Sequence, residues 1–478
     1  MYPTANRNSM EVSSISGIKN LNRTDGKFYA VDLFAGCGGL SEGFEEAGFE
    51  VIAHIEKDKW ACESLRSRHL YRELKKLNKE EVYKRFLREE ISREDVLEEY
   101  PEIDKTISKR VVRATFGEDN TDNIISKIED SMNFHGVSTI HVMLGGPPCQ
   151  PYSVAGRSRD PQRMENDERH YLYMYYLELL ERLQPDIFVY ENVPGLFTAR
   201  AKGEVIFHKM FQDFSLLQQP YCIIPPLNEI NKNPHEYILN SANFQVPQNR
   251  KRLILIGYKK SLGKKNPRIA EIFDKLQLEG ERNSKKKLMT VKDAIGDLPG
   301  IEPGNGKDHW FGHYQNNGNL TNYQKKMRAG SPGTLNHRAR THMESDLERY
   351  KFFIEHHLNG NGAATLNELR KERPDLVPNH KHLDKFIDRF KVQWWDKPST
   401  TIMAHICKDG HYYVHPDVMQ CRSFTVREAA RCQSFPDNFK FEGPRTEQFR
   451  QVGNAVPPLL AYSIGRAIKR ELKIIYDA

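Results

Sequence analysis

The sequence predicts an α/β fold in which a largely parallel sheet carries helices on both faces. Three observations predict it. Short apolar runs rich in Val, Ile, Leu and Phe alternate with stretches of helical periodicity. The first run ends in a glycine-rich turn that opens a helix, as βαβ units do. No run nears the roughly 18 consecutive apolar residues of a membrane helix, so the apolar runs belong to a packed core.

The elements follow in order. The first strand is FYAVDLF from Phe28, the turn is AGCGG, and the first helix is LSEGFEEAGF. A second strand, EVIAHIE, closes on Glu56. Residues 64–115 then carry 14 Lys and Arg and 11 Asp and Glu around sparse apolar positions (Leu74, Leu77, Val82, Phe86), which predicts charged helices inserted on the surface. The sheet resumes with TIHVMLGG, the helical HYLYMYYLELLERL, the strand DIFVYENV and the later strand RLILIGY (252–258). Beyond Tyr258 come turn clusters such as Pro299-Gly300 and Pro303-Gly304-Asn305-Gly306 in a Lys-, Gly-, Asn- and His-rich background. Regular structure returns near Phe424 and closes on one long helix over 451–473. Residues 1–26 are polar, lack the apolar centre of a secretory signal and read as a disordered leader.

Charge is unevenly spread. The 478 residues carry a formal +7, yet Lys259 to Lys397 holds 27 Lys and Arg against 18 Asp and Glu, and the remainder 44 against 46. All the excess positive charge therefore sits in one segment, which points to a polyanion-binding face. Seven cysteines, odd in number and never in a CxxC pair, argue against a disulfide framework or a zinc site and for a reducing compartment. Histidines 309, 313, 337, 342, 356, 357, 380 and 382 lack cysteines at ligand spacing, so no metal site is expected.

Two stretches carry chemistry. Asp32-Leu-Phe-Ala-Gly-Cys-Gly-Gly39 sits where the first strand meets the first helix, and its glycines let backbone amides approach a ligand at the helix N-terminus. Glu56, 24 residues after Asp32 at the end of the second strand, fits the carboxylate that takes ribose hydroxyls of an adenosine-containing cofactor. The second stretch is Gly145-Gly-Pro-Pro-Cys-Gln-Pro-Tyr-Ser153. Prolines stiffen the backbone on either side of Cys149, as suits a thiol held at a fixed place.

Together these stretches resemble the cytosine-5 DNA methyltransferases. The resemblance continues in order through Asp167-Glu-Arg-His-Tyr-Leu172, Glu191-Asn-Val193, Gln248-Asn-Arg-Lys-Arg252, the block Arg422 to Pro436, and Gln451-Val-Gly-Asn-Ala-Val-Pro457. It covers residues 28–258 and 420–478. It implies a Rossmann-like S-adenosylmethionine-dependent methyltransferase domain (27–258 plus 420–478, with 64–115 as an insert). A smaller target-recognition domain (259–419) stands before the C-terminal helix. Trp394-Trp395 and Lys397 to Ile402 mark the return to the catalytic domain.

The resemblance also implies roles. Cys149 adds to C6 of cytosine, so that C5 becomes nucleophilic. Glu191 supplies a proton at N3, Arg250 contacts the O2 side of the base, and Arg252 braces the loop. Two arginines at i and i+2 on one strand face one way. Phe34, Ala35, Gly36, Gly38, Gly39, Glu56, Gly146, Pro148, Leu172, Asn454 and Val456 line the S-adenosylmethionine pocket. The acidic residue expected at the adenine is Asp119, ahead of Asp122, because Gly117 to Ile124 departs from the family's usual triplet. Pro151 to Asp160 resembles the loop that closes over a base flipped from duplex DNA. Lys285-Lys-Lys287 and Lys325-Lys326 would neutralise phosphates.

The implied partners are double-stranded DNA and, in a prokaryotic cytoplasm, a cognate restriction endonuclease acting on the same site. The chain is expected to act as a monomer with no membrane partner. Two alternatives remain: a methyltransferase for cytosine in tRNA, which the large basic segment disfavours, and a non-catalytic DNA-binding relative, which the intact Cys149, Glu191 and glycine loop disfavour.

Overall fold

The computed structural model of the chain describes residues 26–148, 172–201, 204–224, 234–314, 318–379 and 387–477. The leader up to residue 25, Cys149, the 151–160 loop, His380 and His382 lie outside the described residues.

Eight strands form one sheet: β1 (Phe28–Leu33), β2 (Phe49–Glu56), β3 (Val111–Arg113), β4 (Val142–Gly145), β5 (Ile187–Asn192), β6 (Tyr221–Ile224), β7 (Ile238–Asn240) and β8 (Lys251–Lys259). Their order is β3-β2-β1-β4-β5-β8-β6, with β7 also paired to β8. The first five are parallel, as the alternating pattern predicts. β8 runs antiparallel to β5, β6 and β7. Chain order reverses between β1 and β4, so the carboxyl ends of those two strands flank the crevice where such sheets take ligands. The glycine loop leaves β1 there, and Gly145-Gly-Pro-Pro148 leaves β4.

The helices are α1 (Gly39–Glu46), α2 (Lys59–Lys76), α3 (Glu80–Leu87), α4 (Arg93–Glu99), α5 (Pro101–Arg110), α6 (Thr121–Phe134), α7 (Leu172–Leu183) and α8 (Ile206–Ser215). They continue with α9 (Ile272–Ser284), α10 (Val291–Ile295), α11 (Asn322–Arg328), α12 (Glu344–His356), α13 (Leu366–Glu372), α14 (Val426–Cys432), α15 (Arg445–Asn454) and α16 (Pro458–Tyr476). One face of the sheet packs Val31, Leu33, Met143 and Tyr190 against Ile124, Ile128, Tyr176, Leu180, Met210 and Phe214 from α6, α7 and α8. The other packs Phe28, Ala30, Leu144 and Val189 against Phe44 of α1 and Leu460, Ile464, Ile468 and Leu472 of α16. Strands buried on both faces read as near-continuous apolar runs, which is why this part of the sequence is so legible.

Two boundaries differ from the sequence expectation. The helix expected over 451–473 is two helices, α15 ending at Asn454 and α16 starting at Pro458. Pro457 and Pro458 cannot continue α15, but proline suits the first turn of α16. Residues 259–276, expected outside the catalytic unit, pack with it: Leu262, Ile269, Ile272, Phe273 and Leu276 are buried in the sheet's own core beside α16.

Residues 64–115 are largely helical, as expected, but they do not lie on the surface alone. Leu65, Leu70, Tyr83, Phe86, Ile103 and Ile107 form a buried cluster with Leu335, and β3 is an edge strand of the sheet. Arg68 of α2 donates from Nε to Glu42 of α1 at 2.9 Å and from a terminal nitrogen to Asn438 Oδ1 at 2.9 Å. Against the desolvation of burial, Arg68 and Arg72 hold the Glu42 carboxyl down at about 2. A charge count cannot separate such buried ion pairs from a solvated face.

The rest of the basic segment divides between two clusters. Val291, Ala294, Tyr323 and Met327 share a core with Phe424, Ala430, Phe435 and Phe449. Tyr350, Phe353, Leu366, Leu369, Leu376, Phe390 and Val414 make a separate one. Lys285, Lys286 and Lys287 are exposed. The histidines of this segment include buried polar anchors, such as His337, which bonds Thr425 Oγ1 at 2.9 Å and the Pro299 carbonyl at 2.8 Å.

Candidate active site

The glycine loop turns sharply off β1. Phe34, Gly36 and Gly38 take φ of 57°, 55° and 87°, and Gly38 caps α1. The Glu56 carboxylate holds the turn, accepting the Gly36 amide on Oε2 at 2.7 Å and the Asp58 amide on Oε1 at 2.7 Å. Burial pushes this carboxyl's pKa up, against the pull of those amides. A Cβ on Gly36 would meet nothing within 4 Å, so the loop opens onto free space there. Gly39 is the opposite case: its Cβ would lie 2.3 Å from the Val456 carbonyl oxygen, so only glycine lets α1 approach the turn between α15 and α16. Cys37 is buried beneath the loop, its thiol toward the Gln451 carbonyl at 3.7 Å.

Aromatic rings border the same end of the sheet. The rings of Phe34 and Phe116 lie 4.5 Å apart, and Tyr175 follows Phe116 at 6.0 Å. Leu172 packs against the larger hydrophobic core that includes Phe116. Asp119, exposed three residues after Phe116, accepts the Thr115 amide on Oδ2 at 2.6 Å. Asp122 instead pairs with Arg182 of α7 at 3.0 Å. Of the two candidate acids, Asp119 is thus the one beside the aromatic pair.

On the β4 side, the chain leaves Gly145 for Gly146, Pro147 and Pro148. A Cβ at Gly146 would lie 2.7 Å from Glu191 Oε2, so the end of β5 presses its carboxyl directly on the loop that leads to Cys149. Asn192, 1% exposed, ties that loop down by donating from Nδ2 to the Pro147 carbonyl at 3.2 Å. Arg252 meets Glu191 through Nε at 2.8 Å from Oε1. Burial raises the Glu191 pKa, and the Arg252 and Arg250 charges offset only part of that rise. A carboxyl with a raised pKa therefore stands against Gly146, where the chain leaves β4.

The two arginines do not project together from one strand face. β8 begins at Lys251, so Arg250 sits at a break between two ladders and its side chain leaves the shared face. It is buried, donating to the carbonyls of Ile402 at 2.6 Å and Gly453 at 3.1 Å. Arg252 is the one at the carboxylate. At the far wall, Val456 is buried and Asn454 exposed.

The sequence profile of the C-5 cytosine-specific DNA methylases matches residues 28–97 and 100–470, nearly the whole chain. The chain belongs to that family. Among relatives of this methyltransferase, the Type II methyltransferase M.Bpa9945I of Bacillus paralicheniformis is 41% identical over 456 residues, which is 92% of this chain and 98% of that one. The Type II methyltransferase M.DdeI of Desulfomicrobium norvegicum is 30% identical over 452 residues, covering 92% and 88%. A crystal structure of a prophage-encoded DNA modification methyltransferase from E. coli, 23% identical, superposes with a TM-score of 0.57 over 93% of this chain and 99% of that one, and shares the fold. Among the described residues, no helix of the methyltransferase is long and apolar enough to cross a membrane.

Sequence reasoning assigned no part to Asn192, Gln248 or Gln433, although all three are buried. All three fall inside the motifs Glu191-Asn-Val193, Gln248-Asn-Arg-Lys-Arg252 and the block Arg422 to Pro436, and a buried amide must find partners.

Proposed function

We propose that this enzyme moves a methyl group from S-adenosylmethionine to C5 of a cytosine flipped out of duplex DNA, through a transient bond between Cys149 sulfur and C6. The observation that carries the reading is the half-buried Glu191 carboxyl, wedged between Arg252 and Gly146, the residue three before Cys149 in the chain. C5 of cytosine is a weak nucleophile. Thiolate addition at C6 converts the ring to an enamine, and the negative charge that reaches N3 and O2 needs a proton and a cation. Glu191, protonated, donates to N3, and Arg252 beside it faces O2. When the methyl has joined C5, a base removes the C5 proton and the thiolate leaves C6.

The pocket at the ends of β1 and β2 fits the cofactor. Glu56 keeps free lone pairs on both oxygens for ribose hydroxyls, Phe34 and Phe116 offer an aromatic edge for a purine, and Asp119 can accept from an exocyclic amine. The bound cofactor supplies an electrophilic methyl. Glu56→Ala is expected to raise the dissociation constant for S-adenosylmethionine about 100-fold, from two charge-assisted hydrogen bonds of roughly 1.5 kcal/mol each, measured by calorimetry. An unchanged constant removes Glu56 from the pocket.

We also infer a restriction-modification role, in which 5-methylcytosine protects host DNA in the cytoplasm from an endonuclease reading the same site. The Type II names of the relatives support it. The test supplies radiolabelled S-adenosylmethionine with plasmid DNA or total tRNA, followed by bisulfite mapping. Label in DNA at one short sequence is the expected result. Label confined to tRNA overturns the reading.

A further inference from the structure

Two buried glutamines link the base side of the site to its cofactor side. Gln248 and Gln433 are both 0% exposed. Gln248 donates from Nε2 to Gln433 Oε1 at 2.9 Å and to the Cys432 carbonyl at 3.2 Å, and its Oε1 accepts the Ile402 amide at 2.7 Å. Gln433 donates from Nε2 to the carbonyls of Val452 at 2.7 Å and Ala455 at 3.3 Å. Each amide therefore spends donors and acceptor on separate segments of chain, which fixes its orientation as well as its place.

The segments joined are those that must agree for the reaction. Gln248 opens the strand region that carries Arg252 to Glu191. Ile402 follows the basic segment where it re-enters the catalytic unit. Val452 and Ala455 end α15, and Ala455 and Val456 abut Gly39 of the glycine loop, where a Cβ would come 3.0 Å from Ala455 Cβ and 2.3 Å from the Val456 carbonyl. A helix end needs only a donor for its last carbonyls. Here the donor's own oxygen is bonded to Gln248, so the cap is also a strut.

We propose that Gln433 is a positioning residue for methyl transfer: through Gln248 it holds the Ala455–Val456 wall of the cofactor pocket in register with the strand bearing Arg252. It touches neither substrate. Its removal shifts one wall against the other, and a displacement of about 1 Å can cost on the order of 100-fold in rate without loss of binding. The inference rests on the covalent reading above.

That reading supplies a test with two outputs. Without methyl donor, Cys149 adds to C6, C5 takes a proton from water, C5 releases its original hydrogen, and the thiolate leaves. Duplex DNA tritiated at cytosine C5 thus loses label by a step that needs only the base side of the site. In Gln433→Met, single-turnover methyl transfer at saturating substrates is expected to fall about 30-fold, while tritium release and both KM values stay within about threefold. Gln433→Asn, which keeps the amide but is one methylene short of the span, should behave alike and guards against a folding defect. Loss of both outputs in equal proportion in both variants, or no loss in either, overturns the proposal. Absence of tritium release from the unmodified enzyme is a different result: it overturns the covalent reading and takes this inference with it.

Discussion

Cys149→Ser leaves no measurable methyl transfer while DNA and S-adenosylmethionine still bind. Serine keeps size and polarity, but a hydroxyl without a neighbouring base is almost wholly protonated at neutral pH, whereas a cysteine already has a thiolate fraction and a softer, more nucleophilic atom. Covalent addition is the step that makes C5 reactive, so its loss is expected to cost at least about 10⁴-fold, or some 5 kcal/mol of barrier. The neighbouring walls do not depend on the sulfur. Asn192 holds Pro147, and Glu191 fills the space at Gly146. Filter-binding and calorimetry on the variant check this. Turnover within tenfold of the unmodified enzyme gives the nucleophile's part to another group.

Glu191→Gln is expected to slow methyl transfer by about 10² to 10³, the range for a removed general acid. The amide still reaches Arg252 but has no proton to give to N3. The pH dependence separates loss of a proton from loss of shape. Burial raises the Glu191 pKa, and the two arginines only partly reverse it. The protonated form is the working one, so kcat of the unmodified enzyme falls as pH rises through that raised pKa. Glutamine does not titrate, and the alkaline limb should vanish in the variant. Stability has the same sign: a carboxyl with a raised folded pKa contributes fully below its unfolded pKa and loses that contribution as pH climbs through the folded one. The variant is therefore expected to gain relative stability at the alkaline end in denaturant titrations. An unchanged pH–rate profile assigns the proton to another residue.

Legibility followed burial. β1, β2, β4, β5 and α7 fall on the apolar runs that announce them, because strands covered on both faces leave few polar residues to blur the pattern. The glycine loop and Glu56 were readable because their backbone demands are local: a positive φ, a helix start, a carboxylate at a strand end. Long-range choices were not. Whether Arg250 or Arg252 meets Glu191 depends on a strand break and on the carbonyls of Ile402 and Gly453, which lie 152 and 203 residues away in the chain. The charged stretch 64–115 hid Arg68, whose partners Glu42 and Asn438 come from α1 and from the far end of the chain. α9 joined the sheet core from within a basic background for the same reason: sparse apolar residues say that a face is buried, not against what.

The central claim, that Cys149 bonds to C6 of an extruded cytosine, has a direct measurement. Duplex DNA with 5-fluorocytosine at the mapped target is incubated with enzyme and S-adenosylmethionine, digested with protease and analysed by mass spectrometry. After methyl transfer, fluorine at C5 cannot leave as a cation, so the thiolate stays attached. A cross-linked peptide containing Cys149, absent when the cofactor is omitted and absent in Cys149→Ser, is the predicted result. Efficient methylation of ordinary cytosine by the same preparation, with no adduct on Cys149 from the fluorinated duplex, contradicts the account.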